Sequence, residues 1–570
     1  MAGSTRVVFT ALRPVFIKTF GCKVNYADSM ALGDALRAAG FEPIELHGAE
    51  LPPEADVLSY APAILGEPEL LVLETAGEWR QRRWPLSVVI NTCCVTAEAE
   101  RKAAQFVRRV RRDYPQARVL LWGCAARNAA ARWRYEEAGA EVLATFDEVL
   151  ARLRGMESVT DETDSHDARG QAPPPARVAP LAVTPVATRG SSADPGPRTP
   201  DASAHVPGRA RAFIKVQDGC ANCCSYCIVP FVRPYASRPL AEVLDEARRR
   251  IAEGHRELVL TGINIGHYGM TPVLSRGGAM LRPEPEAERR AMHGIAPTEE
   301  GETSLAPTNG GVTPPLPHRR EGPARTTAQL YTRVPGHPSL YDLIDELLAL
   351  LPDGHRLRLS SIEPEGLDPR LFAQLAHPRM CPHLHLPLQS GSDSVLSAMG
   401  RGYFRAQYLA LVRRFRAACP GGALTTDVMA GFPGETDADF AATLRVCSAA
   451  GFERAHCFAF SPRPGTAAAA MPQLPRSVTL PRNRRLIAHC RAVAEARWQR
   501  FCGTAAQLLV EEVRADEGGR VQLSGYGEAY QVIQVTLPDA TESQSRQLIG
   551  RILPVRLVGL RDCVFAGRLL

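Results

Sequence analysis

Residues 213–227 read FIKVQDGCANCCSYC, an apolar strand-like run that leads directly into three cysteines with the spacing C-x3-C-x2-C. Three thiolates on one short loop suit three corners of a 4Fe-4S cluster and leave the fourth iron open to a small molecule. Structural zinc instead needs four ligands, and no Cys or His pair follows at the customary spacing. The sequence therefore predicts an iron–sulfur site at Cys220, Cys224 and Cys227, with Cys223 as a bystander.

This motif begins a series of strand-like runs, most of them separated by helical patterns. The alternation favours α/β architecture, with six parallel strands forming an open or partial barrel. Barrels of this kind carry their chemistry at the C-terminal ends of the strands, which is where the cysteine motif lies. The predicted strands are Phe213–Val216, Glu257–Thr261, Arg356–Ser360, His383–Leu386, Leu424–Ala430 and Ala455–Phe460.

The N-terminal part of the chain shows a βαβαβ pattern over 15–20, 25–39, 87–91, 97–112 and 118–122. Cys22, Cys93 and Cys124 each closely follow one of its strands. If those strands are parallel neighbours, the thiols converge at the edge where open α/β sheets bind ligands, and they imply a second open-iron cluster. For any one of them alone, a small buried cysteine is the better interpretation.

Two stretches without aromatic residues divide the chain. Residues 156–210 are rich in proline and predict a disordered linker, whereas residues 272–326 interrupt patterns that continue on both sides and predict a flexible insertion. Beyond about Gly503, short strands near 506–510, 531–535 and 552–557 predict a small all-β module. The predicted domains are thus 12–155, the barrel 211–502 with its insertion, and the β module 503–570.

The composition is that of a globular protein, with 45% apolar and 22% charged residues among 570 and a formal net charge of +6. No run reaches the roughly 18 uncharged apolar residues of a membrane helix, and we find no secretory signal. We therefore expect a cytoplasmic protein with no membrane partner. Fifteen cysteines in that compartment favour metal or redox chemistry over disulfides.

The C-x3-C-x2-C loop resembles that of radical S-adenosylmethionine (SAM) enzymes, and the three ordered blocks together resemble the methylthiotransferases among them. Within that family, the chain looks most like the branch that modifies threonylcarbamoyladenosine (t6A) in tRNA. The resemblance implies an N-terminal cluster domain, a radical SAM barrel and a C-terminal RNA-binding TRAM domain. It rests on GCKVN at 21–25, NTCCVT at 91–96, LTGINIG at 260–266 and PLQSG at 387–391.

The resemblance also implies a reaction. SAM on the open iron of the first cluster would be cleaved by one electron into methionine and a 5′-deoxyadenosyl radical. The radical would take hydrogen from carbon two of the modified adenine. Sulfur held at the second 4Fe-4S cluster would be inserted there, with a methyl group from a second SAM, to give the methylthio form. The implied partners are tRNA, a reducing electron donor and a sulfur source.

Five further residues are candidates for contact with SAM. Four lie at the ends of predicted barrel strands, and Tyr226 flanks the last cluster cysteine, where its ring could lie against the SAM adenine. The alternative is that they only cap and pack loops. Asp427 is expected to shape a turn at the pocket edge. The five candidates are Tyr226, Gly262, Asn264, Glu363 and Gln389.

Basic residues suggest where RNA phosphates would lie. The C-terminal module is not basic, whereas residues 97–118 form a helix-length basic stripe beside Cys93 and Cys124, and a second stripe runs from Arg482 to Arg500. A solvated charged face is the alternative for either stripe. The candidate RNA contacts are Arg101, Lys102, Arg108, Arg109 and Arg112.

Three other functions remain open from the sequence. The same chemistry could act on isopentenyl-adenosine tRNA or on an aspartate of a ribosomal protein, although Lys23-Val-Asn25 and Thr96 favour t6A. A non-catalytic RNA-binding protein with structural zinc is the alternative from another class. The loop from Arg233 to Arg238 departs from the Arg-Gly pattern usual in the family, so the substrate-facing loop is expected to differ.

Overall fold

The structure is a computed structural model that describes residues 13–20, 23–46, 87–93, 97–115, 117–154, 210–222, 224–272, 331–515, 519–538 and 540–570. Cys22, Cys223, almost all of the predicted linker and all but the first residue of the predicted insertion lie outside these ranges. Among the described residues, no helix has both the length and the apolar character needed to span a bilayer.

An N-terminal parallel sheet has the strand order β2-β1-β3-β4-β5. Helices cover both faces, since Val88 packs with Val107 on one side and Val89 packs with Leu32 on the other. Strands buried on both faces read as continuous apolar runs, which is why the βαβαβ prediction is confirmed to within about two residues. The strands are β1 (Arg13–Thr19), β2 (Phe41–Glu45), β3 (Ser87–Thr92), β4 (Arg118–Gly123) and β5 (Glu141–Val142), with helices α1 (Lys23–Ala38), α2 (Ala97–Asp113), α3 (Ala129–Glu137) and α4 (Phe146–Arg154).

All six predicted barrel strands are present and parallel. They form two sheets, β6-β8-β11 and β12-β13-β14, that single bridges at Leu357–Met380 and Ser361–His385 join into one partial barrel. A two-residue strand, β7 (Ala236–Ser237), runs antiparallel to β6 and was not predicted. The strands are β6 (Arg211–Asp218), β8 (Glu257–Gly262), β11 (Arg356–Leu359), β12 (His383–His385), β13 (Ala423–Ala430) and β14 (Arg454–Ala459).

Helices pack outside the barrel strands. Ile214 and Leu260 belong to the large core that these helices cover, whereas their neighbours Phe213 and Val259 face the other way and pack against Ala27 of α1. The N-terminal helix is thereby held against the inner face of β6 and β8. A short helix, α5 (Val229–Val232), instead packs through Val232 against the core of the N-terminal sheet. The outer helices are α6 (Leu240–Ala252), α7 (Leu340–Leu350), α8 (Arg370–Leu375), α9 (Asp393–Ala398), α10 (Arg405–Ala418) and α11 (Asp437–Ala450).

The predicted insertion begins one residue too early. Pro272 ends a short strand, β9 (Met270–Pro272), which pairs antiparallel with β10 (Tyr331–Arg333). Three-residue strands are too short to show a periodicity in the sequence, and a proline is tolerated at the end of an edge strand.

The C-terminal region is β-rich, as predicted. After α12 (Arg476–Trp498), five strands close into a barrel in the order β15-β16-β17-β19-β18, and one short helix, α13 (Glu542–Arg546), interrupts them. Trp498 of α12 packs on Phe565 inside this barrel and ties the two together. The strands are β15 (Ala505–Ala515), β16 (Val521–Tyr526), β17 (Val532–Leu537), β18 (Ile552–Arg561) and β19 (Val564–Leu569).

Candidate active site between two cysteine groups

Cys220, Cys224 and Cys227 lie on the loop that follows β6, where each is partly exposed. Burial raises the pKa of Cys220 to about 12, and the charge of the neighbouring Cys224 adds to the rise. The same two causes, in the same order, raise the pKa of Cys227. Three thiols on one loop, two of which resist deprotonation on their own, are a donor set for a cationic, sulfur-seeking group, and an iron–sulfur cluster fits that description.

Among the described residues, no three His, Cys, Asp or Glu side chains are arranged to hold a single metal ion. A 4Fe-4S cluster makes a different demand, because each cysteine binds a different iron of the cube. The separation of the three thiols along their loop is therefore compatible with a cluster.

Tyr331 supports this loop. Its hydroxyl oxygen accepts a hydrogen bond from the Ala221 backbone N–H at 2.6 Å and lies 3.7 Å from Cys220 Sγ. The Asn222 N–H also points at that sulfur, at 3.4 Å. Tyr331 was not among the predicted site residues, because it follows the loop only after the long segment outside the described ranges and no motif surrounds it.

Arg401 is a second residue that sequence reasoning missed. Its side chain is buried, pairs with Glu363, and places Nη1 3.6 Å from Cys224 Sγ and 3.4 Å from the Tyr226 hydroxyl. The structure thus brings two of the SAM candidates, Tyr226 and Glu363, to the first cysteine group. The ring of Tyr226 packs beside the apolar cluster that contains Phe432.

Gly262 and Asn264 have clear structural roles. A Cβ at Gly262 would lie 2.8 Å from the Gln217 carbonyl oxygen, so only glycine fits beside β6. The Asn264 backbone N–H donates to Gln217 Oε1 at 2.9 Å, and its Nδ2 lies 3.1 Å from His267 Nδ1. Both residues therefore make the loop-packing contacts that the sequence analysis gave as the alternative to contact with SAM.

Gln389 is buried in a left-handed backbone conformation, with φ of 59°. Its N–H donates to the Asp427 carbonyl at 2.9 Å, and its own carbonyl accepts from Met429 at 2.8 Å. Asp427 was expected to shape a turn. Instead it lies within β13, and its side chain pairs with His385, whose Nε2 lies 3.2 Å from Asp427 Oδ2.

Cys93 and Cys124 follow the neighbouring strands β3 and β4 and are both buried. The Cys124 N–H donates to the Thr92 carbonyl at 2.9 Å, which holds the two strand ends together. The start of α1 is fastened to the same place: Asn91 Nδ2 donates to the Asn25 carbonyl at 2.7 Å, and Asn25 Nδ2 donates back to Asn91 Oδ1 at 3.0 Å. Asn25 lies three residues after Cys22, so these bonds anchor the chain next to that cysteine.

Arg233 joins the two cysteine groups. It lies six residues after Cys227, and its Nη1 is 2.9 Å from Cys124 Sγ. Its Nη2 donates to Asp28 of α1 and to Asp218 at the end of β6, both at 2.8 Å. The loop that departs from the family pattern is thus the one that reaches the N-terminal sheet.

The first basic stripe is exposed along α2, and Arg101, Lys102, Arg108, Arg109 and Arg112 all lie on its exposed side. Two other arginines of the stripe are structural instead. Arg111 donates to the carbonyls of Gly139 and Ala117, and Arg118 pairs with Glu141.

Four arginines of the second stripe form ion pairs, and its role as a phosphate track stays a prediction. Most of the partners come from other elements, although Glu495 lies on α12 itself, four residues after Arg491. Arg482 pairs with Glu435 and Asp437, Arg491 with Glu495 and Asp562, and Arg497 and Arg500 with Glu453.

Most of the remaining cysteines are buried, as expected of packing residues, but three of them are not isolated. Cys447 and Cys457 lie close enough to Cys490 for hydrogen bonds between the side chains, and these bonds lower the pKa of Cys490. These three cysteines are well separated in the sequence, and α11, β14 and α12 bring them together in the fold.

Two family models match the chain: the radical SAM superfamily at residues 330–447, and the uncharacterized protein family UPF0004 at residues 81–144. A threonylcarbamoyladenosine tRNA methylthiotransferase (MtaB) of Chlamydia pneumoniae is 29% identical over 86% of each chain. A tRNA-2-methylthio-N(6)-dimethylallyladenosine synthase of Chloroflexus aurantiacus is 30% identical over 88% of this chain and 82% of its own. Among solved structures, the cobalamin-dependent SAM radical enzyme OxsB covers 80% of this chain and 54% of its own, with 10% identity and a TM-score of 0.39.

Proposed function

The chain belongs to the radical SAM tRNA methylthiotransferase family, and from that premise we propose that it converts t6A beside the tRNA anticodon into 2-methylthio-t6A. Membership implies SAM and a 4Fe-4S cluster as cofactors. A second cluster on Cys22, Cys93 and Cys124 is part of the proposal, as are a reducing electron donor and a sulfur source.

The observation that carries the proposal is the contact between Arg233 and Cys124. It ties the loop that follows the first cysteine group directly to the second group, so both lie at one junction between the barrel and the N-terminal sheet. A reaction that generates a radical at one group and delivers sulfur from the other needs this proximity.

When bound, the first cluster with SAM supplies the radical and the second cluster supplies the sulfur. The protein's own residues hold the cluster and orient SAM. We assign Cys220, Cys224 and Cys227 to the first cluster, and Arg401 to balancing their negative charge. The assigned SAM contacts are Tyr226, Gly262, Asn264, Glu363 and Gln389.

The remaining assignments concern tRNA. We place its phosphates along Arg101, Lys102, Arg108, Arg109 and Arg112 of α2, a helix that begins four residues after Cys93 and exposes these side chains to solvent. We propose the domain layout 12–155, 211–502 and 503–570, with the last as a TRAM domain that contacts RNA through shape and hydrogen bonds more than through charge.

Isopentenyl-adenosine tRNA is the second candidate substrate, because the Chloroflexus relative named for that product is as similar to this chain as the relative named for t6A. Mass spectrometry of nucleosides from total tRNA, with and without the gene, separates the two. We expect loss of methylthio-t6A and accumulation of t6A. Loss of the methylthio-isopentenyl form would support the second candidate, and unchanged tRNA would contradict both.

The division of labour is tested with the purified, reconstituted enzyme. Cys93→Ala and Cys124→Ala should abolish methylthiolation yet leave SAM cleavage, whereas Cys224→Ala should abolish both. Cys419→Ala, a buried barrel cysteine outside both groups, is the matched control and should retain both activities. If Cys124→Ala abolished SAM cleavage in a protein that still binds iron at the first site, the assignment of two separate roles would be wrong.

A further inference from the structure

Lys23 is the first residue of α1 and directly follows Cys22 in the chain. Its Nζ lies 5.6 Å from the centroid of the Tyr530 ring, which belongs to the C-terminal barrel region. Charges of Arg211, Arg358 and Asp427 also act on it. The side chain thus stands where the N-terminal helix, the radical SAM barrel and the C-terminal module meet.

The other charges around Lys23 are already paired. Arg211 binds Glu511, with Nε 2.6 Å from Oε1, and Arg358 binds the fully buried Glu257 at the same distance. Lys23 differs, because no carboxylate of the described residues lies within 4.0 Å of its Nζ. The carboxylate that acts on it electrostatically, Asp427, is paired with His385.

The residues around Lys23 remain partly accessible to solvent. Lys23, Tyr530 and Asp427 are half-buried, and His456 on the inner side of β14 is exposed although it faces the same group of residues. Lys23 has no carboxylate partner among the described residues, whereas the neighbouring Arg211 and Arg358 are paired, so its ammonium group is left without a counter-ion in a half-buried place. An anion that enters this space would therefore be bound strongly.

We propose that Lys23 binds the carboxylate of the threonylcarbamoyl group and so determines substrate specificity. This inference rests on the proposed function and deepens it. The isopentenyl group of the second candidate substrate carries no charge, so it would leave Lys23 without a partner. α1 begins at Lys23, and Asn25 in its first turn donates hydrogen bonds to Asn91 and to the Thr92 carbonyl, directly before Cys93. The start of this helix therefore lies beside the proposed sulfur site, where the modified adenine has to lie.

The test measures binding, separately from turnover. Dissociation constants of the SAM-free holoenzyme are measured anaerobically for anticodon stem-loops that carry adenosine, isopentenyl-adenosine, t6A or the methyl ester of t6A. We expect the wild-type protein to bind the t6A stem-loop about 30-fold more tightly than the ester, the value of a charge-assisted contact. Lys23→Met should remove that preference and leave affinity for the unmodified stem-loop unchanged.

Lys102→Met is the matched control, since it removes an exposed lysine of α2. It should weaken binding of all four stem-loops by the same factor and preserve the preference for t6A. If Lys23→Met retained the wild-type preference, the inference would be wrong. A variant that no longer binds the unmodified stem-loop has lost its fold, and the comparison of acid with ester on the wild-type protein then decides the matter.

Turnover of the same stem-loops distinguishes failure of the proposed function from failure of the role proposed for Lys23. If the wild-type enzyme methylthiolates isopentenyl-adenosine and not t6A, the proposed function fails. If it methylthiolates t6A but binds acid and ester equally, the function stands and the role of Lys23 fails.

Discussion

Replacing Arg233 by methionine should loosen the junction between the N-terminal sheet and the barrel. The Arg233 side chain is 2% exposed and pairs with Asp28 and Asp218, and its guanidinium also contacts Cys124 Sγ. Lys215 bridges the same two aspartates, so the four charges sum to zero. Arg233→Met would leave one uncompensated negative charge in a largely buried place.

The size of the effect follows from these contacts. Breaking a buried ion pair by removing one partner costs about 3–5 kcal/mol. Lys215 remains in place, and the Asp28 and Asp218 side chains keep 10% and 17% exposure, so water offsets part of that cost. We expect a loss of about 2–3 kcal/mol, which for a urea m-value of about 1.5 kcal/mol/M lowers the midpoint of the N-terminal unit by about 1.5 M.

The assay is pulse proteolysis across a urea series, with cleavage followed in the N-terminal unit. The double variant Arg233→Met/Asp218→Asn restores neutrality and should recover most of the lost stability. Arg238→Met is the control, because that arginine lies in the same loop but is 30% exposed, and loss of its pair with Glu246 should cost at most about 1 kcal/mol. A double variant no more stable than Arg233→Met, or an Arg233→Met midpoint equal to that of the wild type, would refute the reasoning.

Three further predictions concern the first cluster loop, the basic stripe and a buried histidine. Tyr331→Phe leaves the Ala221 N–H without its acceptor, so iron content after reconstitution should fall severalfold while the far-UV circular dichroism stays unchanged; full iron loading would contradict this support role. Lys102→Ala with Arg108→Ala should weaken tRNA binding and make the slope of log affinity against log salt shallower by about two, and an unchanged slope would remove both residues from the interface. Burial lowers the pKa of His267 to about 4, so the neutral ring stabilises the fold fully above pH 6.5 and progressively less as the pH falls toward 4; His267→Gln should flatten the fall of the urea midpoint between pH 6.5 and 4.5, and an equally steep fall would show that other groups cause it.

The barrel and the N-terminal sheet could be read from the sequence because their parallel strands are buried and appear as continuous apolar runs. The first cysteine group could be read because its ligands lie within eight consecutive residues. Short strands such as β7 and β9 left no periodicity to detect.

The supporting residues could not be predicted, because their partners are remote in sequence. Arg401 reaches Cys224, Tyr331 reaches Ala221, and Arg233 reaches Cys124, each across more than a hundred residues of chain. The ion pairs of the second basic stripe could not be predicted for the same reason, since most of their carboxylates come from other elements. Local sequence patterns predict helices, strands and ligand spacings. The partners of a charged side chain depend on which distant elements pack together, and a local pattern does not show this.

The pairing of β9 with β10 has a consequence for how this family member tolerates change in length. Backbone hydrogen bonds between Met270–Pro272 and Tyr331–Arg333 fix both ends of the intervening segment at one point on the barrel. The entropy of closing a loop grows only slowly with its length once its ends are fixed. Residues can therefore be gained or lost between 272 and 331 without displacing Tyr331 from the cysteine loop, and the hairpin base offers a natural place to graft or excise a whole domain.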